Sequence, residues 1–290
     1  MKRVGSILVV SLCIGGTAVA EPVALKLKYT EGRTLVTSTE ATNVTDAAGM
    51  QILQVHTQEI ENKVLQADAS GALLRLTFLR QAMKTESPMG SMVFDSASDT
   101  DTTVGVGFSA LSALVGKGFE VRLSSEGAVL ELRGVEALIA SLREAMPEDF
   151  PPAAVEGVVE AFNVDALTKQ FEEEAELLPN VPVELGDAWS NSVVVELPGV
   201  GEMTTITDFT LKEIGESSPD VATITYSVRT ELEEGNTLLD GFDVTGSGAF
   251  HLDMEAGYVM DNLTEVRLTG QVQGMPMTVT SRTSMEQVLR

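Results

Sequence analysis

The chain has 290 residues, with 43 acidic side chains against 19 basic ones and a formal charge of −24 at pH 7. This acidic excess argues against nucleic acid and anionic lipid headgroups as partners, because both would be repelled. One cysteine and two histidines leave little material for thiol or imidazole chemistry.

The first twenty residues are typical of a secretory signal peptide. Lys2 and Arg3 precede an apolar stretch over residues 4–14, and the small residues of Ala18-Val-Ala20 follow. The apolar stretch is shorter than the roughly 20 residues that span a bilayer. We therefore expect cleavage after Ala20, and a periplasmic or secreted protein with no transmembrane segment in its mature chain.

Cys13 raises the alternative of a lipid anchor, since a lipoprotein signal is cut just before a cysteine. The residue before that cysteine should be small, and here it is Leu12, which argues against anchoring. Cleavage after Ala20 removes this cysteine. The mature chain then has no disulfides, thiolate metal sites or cysteine nucleophiles, and it must fold on its hydrophobic core alone.

Residues 21–134 are predicted to form an N-terminal β-rich half. Runs of β-branched and polar residues, broken by turn clusters at residues 46–49 and 68–71, predict three consecutive antiparallel strands. These strands are Thr34–Asp46, Gln51–Gln66 and Leu73–Thr85.

The rest of this half is predicted to contain a loop, a helix and a hairpin. Pro, Gly, Ser and Asp make Ser87–Val104 an expected exposed loop. A short apolar helix is predicted over Phe108–Val115. Phe119, Val121 and Leu123 then alternate with polar residues before a Ser125-Glu-Gly127 turn, which predicts a hairpin.

Residues 135–182 are predicted to be the central helical segment. Apolar residues recur there with the period of an α-helix in three stretches that are separated by prolines and polar residues. The residues are Val135, Leu138, Ile139, Leu142, Met146, Val155, Val158, Val159, Phe162, Leu167, Phe171, Ala175 and Leu178. We interpret these stripes as core packing, and the Glu172-Glu-Glu174 run as a solvated helix face.

Residues 183–290 are predicted to form a C-terminal β-rich half whose strands have one apolar face. Strands followed by helices and then strands indicate an α+β fold. We predict long antiparallel, curved and half-barrel-like β-sheets, with the central helices packed on the concave face. The inward row is Val244, Phe250, Leu252, Met254, Val266, Leu268, Met277 and Val279.

A short pattern occurs in both halves. Phe119–Val129 and Phe250–Val259 each contain an alternating strand, an acidic residue close before a glycine, and a returning apolar residue. The pattern fits either a duplication into two similar halves or convergent hairpin sequence. Gly246 and Gly248 lie on the inward face, where a strand must bend or let another group approach its backbone.

The sequence predicts no catalytic, cofactor-binding or metal-ligating residues. Nucleophile elbows, S-x-x-K pairs, phosphate-binding loops and calcium loops are absent from the sequence. His56 and His251 each lie alone in a strand and are interpreted as solvated. Methionines near loops suit copper(I) chemically, but we interpret them as packing residues. They are Met83, Met89, Met92, Met275 and Met277.

The order of these features resembles an uncharacterised family of secreted bacterial proteins. The resemblance is carried by the strand that starts at Gly32, the 114–123 segment with Glu126-Gly127, the helix after Gly134, the Val183–Trp189 motif and the Gly246–Gly257 hairpin. The resemblance implies that the protein is exported and that one family accounts for the architecture of the mature chain. It implies no catalytic residue. The hairpins also look like those of periplasmic lipoprotein carriers, whose half-barrel encloses an acyl chain.

These observations favour a non-enzymatic envelope protein that binds an apolar ligand, such as a lipid or acyl chain, or an envelope protein partner. A second hypothesis is a structural or interaction module in which Leu138, Leu142, Val158 and Phe162 fill the sheet completely. A third is a hydrolase that uses paired carboxylates. The volume left between the sheet and the helices discriminates between the first two.

Overall fold

The computed structural model describes residues 22–47, 49–98, 108–146, 152–197, 201–215, 220–232, 242–272 and 275–290. The signal-peptide and Cys13 predictions fall outside these residues. Within them, antiparallel strands dominate and form one curved, open sheet.

Six strands precede the central helices. They are β1 (Thr34–Ala47), β2 (Met50–Asp68), β3 (Gly71–Ser87), β4 (Gly90–Asp95), β5 (Gly118–Ser124) and β6 (Val129–Arg133). The three long strands and the β5–β6 hairpin confirm the sequence prediction. Helix α1 (Phe108–Leu114) lies between β4 and β5, as predicted.

One prediction for this half is wrong. The exposed loop expected over Ser87–Val104 contains β4, which pairs with β3 from Ala82↔Asp95 to Ser87↔Gly90. Arg80 holds this hairpin, since its Nη2 lies 2.7 Å from Asp95 Oδ2. Proline and glycine marked a turn there, but the turn is only two residues long. The end of the predicted loop lies outside the described residues.

The central helices are α2 (Val135–Ala145), α3 (Pro152–Glu160) and α4 (Val164–Ala175). Helix α4 begins at a side-chain cap, where Asn163 Oδ1 accepts a hydrogen bond from the Ala166 amide at 2.7 Å. The predicted inward stripe is confirmed at Leu138, Leu142 and Leu167, which are all buried.

Six strands follow: β7 (Ala188–Leu197), β8 (Gly201–Gly215), β9 (Val221–Leu232), β10 (Asp243–Asp253), β11 (Tyr258–Val272) and β12 (Met275–Leu289). The strand order across the sheet is β6-β5-β3-β2-β1-β12-β11-β10-β9-β8-β7, with β4 added beside β3. The first and last strands therefore pair, from Leu35↔Leu289 to Ala47↔Met277. The α+β class, the concave placement of the helices and the three-part division at residues 134 and 182 remain predictions.

The inner face of the sheet carries three separate clusters of buried apolar residues. One cluster surrounds Phe209 and Phe250 on β8–β10 and includes Leu25 from the chain before β1. A second joins α1, α2 and α4 to Phe78 on β3 and Phe119 on β5. A third lies around Val64 and the turn between β2 and β3. The core is thus divided, and the space between its parts becomes the candidate site.

The glycines predicted to admit a close approach do so, and the approaching group is a side chain of the protein. A Cβ on Gly248 would lie 2.3 Å from Tyr226 Cζ, so the phenol ring occupies that space. The Tyr226 hydroxyl donates to Asn262 Oδ1 at 2.8 Å and also contacts Thr264 Oγ1. The Tyr226 side chain therefore occupies the space beside Gly248, where the sequence predicted that another group approaches the backbone.

We predict opposite effects for two glycine-to-alanine substitutions. Gly248→Ala should destabilise the protein by about 1–3 kcal/mol, because its methyl group overlaps the Tyr226 ring. Gly157→Ala on α3 meets no atom within 4 Å and should stabilise by about 0.5–1 kcal/mol through helix propensity. Urea unfolding of both variants measures the difference. Equal effects of the two substitutions would contradict this account of Tyr226.

Candidate functional site

A cavity of about 550 Å³ lies between the sheet and the helices. Three parts of the chain bound it: the inner face of the central strands, the segment from Ala161 to Leu178 that includes α4, and residues 22–33, which we call the strap. All three apolar clusters contribute side chains to its wall. The cavity therefore lies between the three apolar clusters.

The floor of the cavity follows from the strand register. Thr37 on β1 lies opposite Ile60 on β2 and Gln287 on β12, so these side chains share one face. Thr37 Oγ1 accepts hydrogen bonds from Asn62 Nδ2 at 2.9 Å and Gln287 Nε2 at 3.0 Å. These two hydrogen bonds link the polar side chains of β1, β2 and β12 across the floor of the cavity.

Aromatic and aliphatic side chains form the helix-side wall. The rings of Phe162 and Phe78 pack edge to face with centroids 6.0 Å apart, and those of Phe171 and Phe119 at 6.3 Å. Leu167 is buried behind them. These contacts hold α4 over β3 and β5. Lys169 Nζ also donates to the Val194 carbonyl on β7 at 3.3 Å. Helix α4 therefore contacts the edge strand β7 as well as strands close to the opposite edge of the sheet.

The strap forms the opposite wall and is held by backbone hydrogen bonds at several points. Val23 exchanges two bonds with Val183, at 2.8 and 2.9 Å, and the Lys28 amide donates to the Gly257 carbonyl at 2.8 Å. Leu25 is buried in the cluster around Phe209. Sequence reasoning assigned no role to the strap, because it lacks the periodicity of a strand or helix.

The motif that occurs in both halves contributes to both walls. Gly127 and Gly257 adopt positive φ values of 89° and 70° in the turns of their hairpins. A Cβ on Gly127 would lie 2.5 Å from Ala175 Cβ of α4, and one on Gly257 would lie 2.5 Å from Lys28 Cβ of the strap. Each glycine therefore allows a covering segment to pack closely against a hairpin turn.

Two cations border the cavity at the strap. Lys28 Nζ donates to the Met254 carbonyl at 2.7 Å, and Arg33 Nη1 donates to the Ala256 carbonyl at 2.5 Å. Within the described residues neither side chain forms an ion pair with a carboxylate. Their positive charges are therefore available to an anionic group at this end of the cavity.

Tyr29 on the strap and Glu174 on α4 both line the cavity. Burial raises the pKa of Tyr29 to about 12, and the negative charge of Glu174 acts in the same direction. Desolvation by the surrounding atoms also raises the pKa of Glu174, although a hydrogen bond with Gln170 opposes it and solvent still reaches part of the side chain.

Glu174 is exposed, as predicted for this run, but it also borders the cavity, and that position was not predicted. Helical spacing could have found it, because Glu174 follows Leu167 by seven residues and Phe171 by three, and so lies on the same side of α4. Residues of the strap and of β1–β3 that line the cavity were also missed. The sequence pattern of β1–β3 predicts regular hairpins, and it predicts the same hairpins whichever face of the strands is buried.

The predicted inward row has only a small part in the cavity. Phe250 lines it, while Leu252 and Met254 pack with the cluster around Phe209. Val266, Leu268, Met277 and Val279 share the same sheet face further along the strands, by the register of β11 with β12. Leu138 and Leu142 of α2 are buried in the cluster that includes Phe78 and Phe119. The Val158 side chain lies outside the described residues.

The two histidines are not alone. His56 Nε2 lies 3.1 Å from Gln81 Oε1 on the inner face, and His251 Nδ1 lies 2.6 Å from Asp261 Oδ1 on the outer face. The interpretation of His56 as a solvated residue is wrong, since it is half-buried. In the described ranges no three His, Cys, Asp or Glu side chains are grouped as metal ligands would be.

We predict that Glu174→Gln lowers the pKa of Tyr29 from about 12 towards 10. The substitution removes a negative charge that opposes ionisation of the phenol. Tyrosinate absorbance, followed as the pH is raised in the variant and the parent protein, measures the shift, with Tyr29→Phe to assign the signal. Glu172→Gln is the control, because Glu172 is on the same helix but is not among the residues that line the cavity. An unchanged titration in Glu174→Gln would contradict this electrostatic effect of Glu174 on Tyr29.

No helix in the described part of the chain is both long and apolar enough to cross a membrane. No curated protein is significantly similar in sequence.

Several solved structures show weak similarity. A lipovitellin structure on lipid–protein interactions has a TM-score of 0.49 at 9% identity; the match covers 91% of this chain and 26% of that one. An outer membrane channel from Pseudomonas putida F1 has a TM-score of 0.28 at 8% identity, over 92% and 99% of the two chains. An S-type phycobiliprotein lyase from Guillardia theta has a TM-score of 0.25 at 6% identity, over 87% and 86%.

These scores are too low to carry an argument about function, so the likeness to lipoprotein carriers remains a prediction. The family resemblance is confirmed by a family model that matches residues 70–286, from the start of β3 almost to the end of β12. The chain belongs to the family of unknown function designated DUF6263.

Proposed function

We propose that this chain is an exported, non-enzymatic binding protein of the cell envelope, which holds an acyl chain or a similar apolar ligand between its curved sheet and α4. The observation that carries the proposal is the cavity of about 550 Å³. Ligand sites of proteins typically have about 300–1,000 Å³ and are mostly apolar with a few polar groups. In this proposal the helices lie on the concave face of the sheet.

The lining of the cavity supports an apolar ligand. Most of its side chains are aliphatic or aromatic. They include Leu27, Leu35, Ile60, Leu74, Leu76, Phe78, Phe119, Phe162, Phe171, Val259 and Met285. Protein interiors contain few empty spaces larger than a water molecule. A space of this size between three packed clusters therefore suits an occupant better than the alternative of a filled core.

The charges at the strap support an anionic headgroup on that ligand. Lys28 and Arg33 donate only to carbonyl groups, in a chain whose net charge is −24. A fatty acid can place its chain against Phe78 and Phe119 and its carboxylate near these cations. Glu174, whose pKa is raised by desolvation, opposes such a carboxylate less when it is protonated.

We predict that Met285→Trp weakens binding of a dansyl-labelled fatty acid at least about tenfold. Met285 on β12 faces the cavity, and the indole would occupy space that the ligand needs. Val288→Trp is the matched control, because Val288 lies on the outer face of the same strand and is 52% exposed. Fluorescence titration of the exported protein measures both affinities.

Thermal unfolding shows whether each variant is folded. If Met285→Trp does not fold, Thr39→Trp on the neighbouring strand tests the same space. Unchanged binding in a folded cavity variant, together with the absence of lipid in native mass spectra of the envelope-purified protein, would overturn the proposal. Tighter binding of the free fatty acid than of its methyl ester would support the anionic headgroup.

A further inference from the structure

The exposed methionines of this chain lie at one end of the sheet, where three neighbouring hairpins turn. Ala47 pairs with both Met50 and Met277, Ser87 pairs with Gly90, and Val272 pairs with Met275. Since Leu53 pairs with Glu86, the three turns are level to within about two residues, or roughly 7 Å.

We call the apolar residues at these turns the rim. They are Met50, Ile52, Met89, Met92, Val93 and Met275. Met89 is 96% exposed, Met50 60% and Met275 51%. The interpretation of Met89, Met92 and Met275 as packing residues is therefore wrong. Methionine is among the residues most often buried, and a group of exposed apolar residues marks a binding surface.

The segments that carry the rim have no charged residues. Residues 47–55, 87–94 and 268–281 contain no Asp, Glu, Lys or Arg, although 21% of the whole chain is charged. Two charged residues lie beside these segments, since Asp46 pairs with Gln51 and Glu86 pairs with Ser91. By strand alternation, both lie on the sheet face opposite to Met50, Ile52 and Met92. The sheet face that carries Met50, Ile52 and Met92 therefore offers apolar contacts and no ion pairs at this end.

We propose that the rim docks the protein on the surface of a zwitterionic lipid bilayer. Methionine is unbranched and flexible, so it can enter the disordered boundary between headgroups and acyl chains. The rim side chains carry no charge, and Asp46 and Glu86 lie on the opposite face of their strands, where they can stay in water. Anionic bilayers are disfavoured, because a protein with a net charge of −24 is repelled by them.

The shape of the rim favours a bilayer over a protein partner. Met50, Met89 and Met275 each project from a different hairpin, so each can enter the headgroup layer separately. A protein partner would need a concave surface that matches all three. By strand alternation, Met50 also shares the sheet face of Thr39 at the border of the cavity. Eight residues of β1 separate the two levels, or about 26 Å.

Docking is independent of what the cavity holds, so it is tested separately. The exported protein is mixed with phosphatidylcholine vesicles, and the bound fraction is measured by flotation. Combined Met50→Ser, Met89→Ser and Met275→Ser substitutions should reduce vesicle affinity at least about tenfold, since burying one methionine side chain alone favours binding by about that factor. The parent should bind phosphatidylglycerol vesicles more weakly at low salt, and added salt should reduce the difference.

The control replaces three apolar residues at the opposite end of the sheet, each of them more than half exposed. Leu130→Ser, Val181→Ser and Leu185→Ser change side chains that are 59%, 65% and 55% exposed, and vesicle binding should stay as in the parent. Fatty-acid binding should persist in the rim variant. This result would show that the rim substitutions affect membrane docking and not ligand binding in the cavity.

Three results would overturn the docking proposal. The first is a parent protein that does not bind phosphatidylcholine vesicles. The second is equal loss of binding in the rim and control variants. The third is self-association of the parent that only the rim variant abolishes in sedimentation, which would assign the rim to a protein contact.

Discussion

The antiparallel pairing of β1 with β12 is the contact on which the rest of the structure depends. The first and last strands of the described chain meet there, from Leu35↔Leu289 to Ala47↔Met277. The pairing converts two groups of strands, separated in sequence by the helices, into one sheet. The floor of the cavity lies on both sides of this junction, at Thr37, Asn62 and Gln287. Such a long-range contact forms only when the whole chain is present.

A sheet this wide has more inner face than four short helices can cover. Apolar residues therefore pack in three clusters, and the strap covers part of what the helices leave open. Each of these two covering segments packs closely against a glycine in a hairpin turn: α4 against Gly127, and the strap against Gly257. The remaining gap is the cavity. Its polar floor is internally hydrogen-bonded, and its two cations lie at one end, so an apolar molecule with an anionic group fits its chemistry.

Local patterns predicted the elements well and the tertiary neighbours poorly. Alternation identified the β5–β6 hairpin, and the 3.6-residue period identified Leu138, Leu142 and Leu167 as buried. The same helical period places Glu174 on the side of α4 that carries Leu167 and Phe171, so it borders the cavity while it remains exposed, as predicted from its charge. The loop prediction missed β4, because a two-residue turn and a long loop contain the same residue types. Three of the five methionines interpreted as packing residues proved exposed, namely Met89, Met92 and Met275, since hydrophobicity alone does not determine whether a neighbour covers a residue.

The sequence by itself determined the antiparallel strands, the helical segment, the acidic surface and the family resemblance, because these depend on composition and on periods of two and 3.6 residues. Tertiary structure decided the pairing of β1 with β12, the position of the cavity, the placement of Tyr29 and Glu174 in its lining, and the alignment of three uncharged turns in one rim. These features depend on the register between strands that are distant in the chain. Alternation specifies the face of a side chain but not the strand it will meet.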